Sequence, residues 1–231
     1  MNAQMTRESV YIAGPRGRLA GELCYRDGKA KAAVLIANPH PLMGGAVNNN
    51  VVERLALDLP GHGYVTLRFD YGGVGKSGGE PVDVAENMRH FWETGTTDAD
   101  PEMGEEARHV SSWMARQFDQ PILGVGYSFG AYALASKVVD RLAALAVISP
   151  TLTRHDFEPL KSTDAPVMAI YSDDDFATPA EVTRDWVGTL GPRARGHMLE
   201  GGEHFYRGQE SCVVDLCSAF FGQALEDRGL V

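Results

Sequence analysis

A mainly parallel α/β fold is what this sequence predicts, and three observations carry the prediction. Apolar runs of strand length alternate with stretches of helical spacing along most of the chain, a pattern that builds a parallel sheet covered on both faces. Ala32-Ala33-Val34-Leu35-Ile36-Ala37 is apolar at every position, as expected for a strand buried on both sides. Finally, Pro121-Ile122-Leu123-Gly124-Val125 feeds Gly126-Tyr127-Ser128-Phe129-Gly130, and an alanine-rich helical segment continues to Val139. Strand, sharp turn and helix give a G-x-S-x-G pattern its meaning. The turn forces an unfavourable backbone angle on the serine, and the flanking glycines let strand and helix approach closely. Without that context the pattern could arise by chance in a chain with 26 glycines.

In chain order, Ser9 to Ala13 and Leu19 to Tyr25 are short strand-like runs joined by the turn signal Gly14-Pro15-Arg16-Gly17, an expected antiparallel hairpin at one sheet edge. The Ala32–Ala37 strand ends in Asn38-Pro39-His40-Pro41-Leu42-Met43-Gly44-Gly45, which two prolines bar from helix or strand. Asn48 to Leu59 carries a helical stripe (Val51, Val52, Leu55, Leu59) that Gly61 and Gly63 stop. Tyr64 to Phe69 is the next strand and runs into Asp70-Tyr71-Gly72-Gly73-Val74-Gly75-Lys76-Ser77-Gly78-Gly79. Gly75-Lys76-Ser77 imitates the end of a P-loop, but the glycine that motif needs five residues earlier is Asp70, so a phosphate cradle is not expected.

Residues 81–103 read as an irregular segment with an aromatic pair, Phe91-Trp92, a short helix around Val84 to Trp92, and a polar tail ending at Pro101. Segments of this length without clear structure tend to be functional covers or disordered. Helical periodicity resumes over Glu105–Phe118. After the serine's helix come a strand at Leu142–Ile148, a strand at Ala165–Tyr171 and a helix at Pro179–Leu190. A strand at Gly196–Leu199 and a helix at Glu210–Ala224 close the chain. No linker or repeat divides it, so one domain over 1–231 is expected.

Composition bounds the function. The 231 residues are 44% hydrophobic and 23% charged, and the net charge of −10 is spread along the chain, so neither nucleic acid nor an anionic membrane is an expected partner. Cys24, Cys212 and Cys217 suggest neither a disulfide framework nor a metal site. The first residues lack an apolar h-region, and no apolar run approaches the ~18 residues of a membrane span. A soluble cytoplasmic protein without metal or organic cofactor is the expectation, with a small-molecule partner. Oligomeric state is not legible.

A serine hydroxyl is a weak nucleophile at neutral pH and needs a base, which in turn needs an orienting partner. In a parallel sheet, the loops after strand carboxyl ends gather at one edge. Three such loops supply the types required: Ser128; then Ser172-Asp173-Asp174-Asp175-Phe176-Ala177-Thr178-Pro179; then Glu200-Gly201-Gly202-Glu203-His204-Phe205-Tyr206. The order Ser…Asp…His follows. His204, in a Gly-rich loop after the last strand, is the expected base, and His40, in the Pro-rich loop, is better suited to shaping the oxyanion region.

With these pieces in place the sequence resembles the α/β-hydrolase superfamily over nearly the whole chain. It is most similar to a small bacterial branch with a His-Pro-His-Pro-like loop, here Asn38-Pro39-His40-Pro41 followed by Gly44-Gly45. The Arg68–Gly78 run and the Ser128 turn match as well. The resemblance implies a twisted sheet of about eight strands and hydrolysis of an ester, thioester or related acyl bond through an acyl-enzyme. Asp-x-x-x-Pro resembles the family's acid position and selects Asp175, with Asp173 second. Residues 81–103 look like an insertion near the active site, and Ile148 to Ala165 leaves little room for a cap. The oxyanion donors expected are the amides of Phe129 and Leu42, or Met43 in place of Leu42, because Pro41 has no N–H. Met43, Tyr127, Phe91, Trp92 and Phe205 are expected to line the substrate pocket. The same triad could serve acyl transfer or cyclisation, and the fold could also serve a noncatalytic binding protein.

Overall fold

In the computed structural model, the strands Met5–Gly14 (β1), Gly17–Arg26 (β2), Ala32–Ala37 (β3), Tyr64–Phe69 (β4), Ile122–Tyr127 (β5), Leu145–Ile148 (β6), Val167–Asp174 (β7) and Ala194–Glu203 (β8) form one eight-stranded sheet. The structure describes residues 4–81 and 83–231; residues 1–3 and 82, within the amino terminus and the 81–103 segment read above, lie outside the described residues. The sheet order is β1-β2-β4-β3-β5-β6-β7-β8. β1 and β2 form an antiparallel hairpin, β2 meets β4 antiparallel, and every pairing from β4 to β8 is parallel.

The helices are Asn50–Asp58 (α1), Val84–Thr94 (α2), Asp100–Gln117 (α3), Phe129–Lys137 (α4), Pro159–Ser162 (α5), Ala180–Thr189 (α6) and Glu210–Asp227 (α7). Alternation along the central strands divides the core in two, because successive side chains point to opposite faces. Val34 and Ile36 of β3, with Leu123 and Val125 of β5, meet α1 and α7 on one face. Ala33, Leu35 and Ala37 meet α3 and α4 on the other. Each buried Leu, Ile or Val in these layers contributes about 1.5–3 kcal/mol relative to exposure. Such a sheet has no wet face, which is why β3 is apolar throughout.

Local signals set the ends of elements. The Asn49 side chain accepts the N–H groups of Val51 and Val52 and so caps α1, while Gly63, at φ 90°, ends the turn that follows. Within 81–103, the short helix expected around Val84 to Trp92 is present as α2, whereas α3 starts at Asp100 rather than Glu105 and takes up the end of the segment read as a polar tail. Pro101 is compatible with that start, since a first-turn residue has no intrahelical bond to lose, and Asp100 and Glu102 suit the positive helix end. β1, β2, β7 and β8 run longer than the apolar pattern indicates because backbone pairing continues into polar residues at the sheet edges.

β3 turns back to β4 on one side, whereas the chain crosses to β5 on the other, so the sheet's switch point lies between β3 and β5. Ligands in open α/β sheets bind outside the strand carboxyl ends at such a point. The 38–45 loop leaves β3 there and Ser128 leaves β5.

Candidate active site

Ser128 sits at φ 54°, ψ −117°, between the end of β5 and the start of α4. A non-glycine residue held there costs roughly 1–3 kcal/mol, and the surrounding packing maintains it. A Cβ on Gly126 would lie 2.5 Å from Ala131 Cα, and one on Gly130 would overlap the Ala37 carbonyl oxygen. Both glycines are therefore dictated by backbone passing backbone. The strained turn lifts the Ser128 hydroxyl to the carboxyl edge of the sheet.

There it meets two groups from distant loops. His204 Nε2 is 3.2 Å from Ser128 Oγ, and His204 Nδ1 is 2.8 Å from Asp175 Oδ1. An ionised carboxylate only accepts, so Nδ1 carries the proton and Nε2 is left to accept from the serine hydroxyl. All three residues are buried. Burial alone would raise the Asp175 pKa, but bonds from His204, Ser149 and the Ala177 amide hold it below the usual carboxylate range. Asp173 lies elsewhere: its carboxylate accepts the amides of Gly201 and Gly202 and braces the loop that carries His204. Asp175, not Asp173, is the carboxylate brought to His204.

A second histidine–carboxylate array lies beside the first. Asp100, the first residue of α3, is 3.1 Å from His40 Nε2 through Oδ1 and 3.1 Å from His155 Nε2 through Oδ2, and Thr97 Oγ1 donates to it at 2.5 Å. His40 Nδ1 accepts the Leu42 amide at 3.1 Å, and His155 Nδ1 lies 2.9 Å from Thr151 Oγ1. Every ring nitrogen of this pair is engaged, so neither histidine has a lone pair free to act as a base. Burial opposes the Asp100 charge, but the bonds from His155, His40 and Thr97 outweigh it and push its pKa far down.

The Leu42 contact corrects an expectation. His40 is the N-cap of a single helical turn at Pro41–Met43, and a capping side chain takes the amide two residues on. Leu42 N–H is thereby committed to His40, and Met43 N–H donates to the His40 carbonyl at 2.8 Å. Phe129 differs: it opens α4, where amides have no intrahelical acceptor.

A cavity of about 120 Å³ opens beside Ser128, lined by His40, Met43, Phe91, Trp92, Gly95, Phe129, Thr151, Arg154, His155, Phe176, Ala177 and His204. Met43, Phe91 and Trp92 lie on it. Two expectations are corrected. Tyr127 is absent from the lining because a strand alternates: its side chain points into the opposite core, where its hydroxyl donates to the His204 carbonyl at 2.7 Å. Phe205 packs outside, against His204 and Phe176. The sequence reading missed Asp100, Thr151, Arg154, His155 and Phe176. For Thr151, Arg154 and His155 the signal was position, since residues 151–155 follow the carboxyl end of β6, a loop comparable to the three singled out, and Phe176 adjoins Asp175 in one of those three.

No family model matches the chain. It is 28% identical over 213 residues to an uncharacterized protein of Rickettsia prowazekii, covering 86% of this chain and 82% of that one. Among solved structures it is similar to an alpha-beta serine hydrolase homologue from Coxiella burnetii, with 28% identity, 92% and 96% coverage and a TM-score of 0.78. A putative α/β-hydrolase from Agrobacterium tumefaciens superposes with a TM-score of 0.80 at 24% identity, covering 95% of this chain and 97% of that one. A serine hydrolase without a lid from Xanthomonas campestris gives 0.76 at 21% identity, with 96% and 94% coverage. With its eight-stranded, mostly parallel sheet between helices and no cap domain among the described residues, the chain has the α/β-hydrolase fold.

Proposed function

We propose that the protein is a serine hydrolase that cleaves a carboxylic ester, thioester or related acyl bond of a small molecule. The observation that carries this reading is the run of contacts from Ser128 Oγ to His204 Nε2 and from His204 Nδ1 to Asp175, buried together beside the cavity. The similarity to an alpha-beta serine hydrolase homologue supports it.

In this reading Ser128 Oγ attacks the carbonyl while its proton passes to His204 Nε2, and Asp175 stabilises the imidazolium and fixes its tautomer. The proton then goes to the leaving group, and water, deprotonated by His204, releases the acid. The Phe129 amide donates to the tetrahedral oxyanion, a contact worth about 3 kcal/mol in the transition state. Met43, Phe91 and Phe129 supply an apolar wall for the acyl group.

The test is intact mass after exposure to a fluorophosphonate probe, with Ser128→Ala alongside. A single adduct on the native protein, absent from the variant, is the expected result. A native protein that takes no adduct, or a Ser128→Ala variant that still turns over esters, defeats the proposal.

A further inference from the structure

The cavity holds a cation that the chemistry above does not use. Arg154 lines it, and no carboxylate is among the lining residues. Asp100, an acid bonded to two of the lining histidines, is spent on His40, His155 and Thr97. Arg154 is also held in place. Its Nη1 donates to the Thr94 carbonyl at 3.0 Å, at the end of α2, and its stem runs against Gly95, where a Cβ would lie 2.6 Å from Arg154 Cδ. Gly95 has φ 73°, so both conformation and space favour glycine beside this stem. One guanidinium N–H is bonded to Thr94, and no ion pair to Arg154 is present among the described residues, so the fork keeps further donors beside a cavity that Arg154 lines.

Two aromatic side chains on the same lining are left in solvent: Trp92 is 64% exposed and Phe176 is 61% exposed. The chain as a whole carries a net charge of −10. Its field disfavours an anion everywhere except where a local cation offsets it.

We propose that Arg154 is an anion subsite and that the acyl substrate carries a carboxylate, received by the guanidinium while the ester or thioester carbonyl lies at Ser128. The carboxylate belongs either to the acyl chain or to the leaving group; both present the same planar pair of oxygens to the fork. The inference rests on the proposed hydrolase reading and deepens it. Capping of the α2 carboxyl end is the alternative role for Arg154, and a cap would not discriminate between substrates.

The test compares kcat/KM for matched esters. One arm uses p-nitrophenyl hemiglutarate against p-nitrophenyl pentanoate. The other uses 4-acetoxybenzoate against its methyl ester, each corrected for spontaneous hydrolysis. In at least one arm the anionic ester is expected to be favoured by about tenfold or more, as for a hydrogen bond to a charged group. That ratio is expected to collapse in Arg154→Gln, to invert in Arg154→Glu, and to shrink as salt is raised. Labelling of each variant by a neutral fluorophosphonate reports that the fold and Ser128 survive. A native ratio near one in both arms overturns the proposal, as does a ratio that Arg154→Gln leaves intact while labelling persists. Loss of labelling and of all turnover in the native protein would instead defeat the hydrolase reading.

Discussion

Among three consecutive aspartates, one carboxylate, that of Asp175, is buried against an imidazole, and the proposed reaction gives it the role of the acid. Asp175 accepts from His204 and from the Ala177 amide, whereas Asp173 accepts two glycine amides in an exposed position. Asp175→Asn keeps the shape but presents an N–H where an acceptor is needed, which favours the wrong imidazole tautomer. Its kcat should fall by about 10⁴-fold. Asp173→Asn should retain most activity, since it only loosens the loop. Steady-state kinetics on one activated ester separates the two, and equal losses would mean that the acid is misassigned. Which aspartate it was could be argued from Asp-x-x-x-Pro, but only the geometry distinguishes a carboxylate facing His204 from one facing glycine amides.

The element that joins the site is the amino end of α3. Asp100 ties the start of that helix, the 94–97 turn, the loop after β3 and the loop after β6 into one buried unit. In Asp100→Asn an amide N–H₂ meets at least one imidazole N–H, so a donor faces a donor. The cost is the desolvation of unpaired buried groups, about 1–3 kcal/mol each, and roughly 2–4 °C of Tm per kcal/mol for a chain of this length. Asp100→Asn should therefore melt several degrees lower and lose kcat/KM, because His40 no longer has a fixed ring to present to Leu42. An unchanged Tm by differential scanning calorimetry would show that the array carries no stability. Sequence periodicity could not supply this unit: its partners are separated by as many as 60 positions, and no local pattern couples them.

For the whole molecule, these buried carboxylates contribute to the acid limit, together with other carboxylates held below their ordinary range such as Glu22 and Glu210. The folded pKa values of Asp100 and Asp175 are both depressed below the unfolded value of about 3.9, so protons bind preferentially to the unfolded chain on acidification. Their contribution is fully present above the unfolded value and is lost as pH falls through the folded ones. Tm should be nearly flat from about pH 5 to 7 and should drop steeply below about pH 4. The drop should be shallower in Asp100→Asn. A native protein and an Asp100→Asn variant with parallel acid profiles would contradict the linkage.

The sequence by itself determined the succession of strands and helices along the chain, the strand–turn–helix around Ser128 and the three residue types of the candidate triad. Each of these rests on local chemistry: apolar periodicity, glycine where backbones touch, proline where an amide is dispensable. Tertiary structure alone decided the rest. It turned Tyr127 away from the cavity by strand alternation, committed the Leu42 amide to His40 through a cap, and placed Arg154 beside Gly95 without a carboxylate partner on the cavity wall. Those outcomes depend on which face a side chain takes and which distant loop it meets, and a linear chain encodes them only through the packing of the whole.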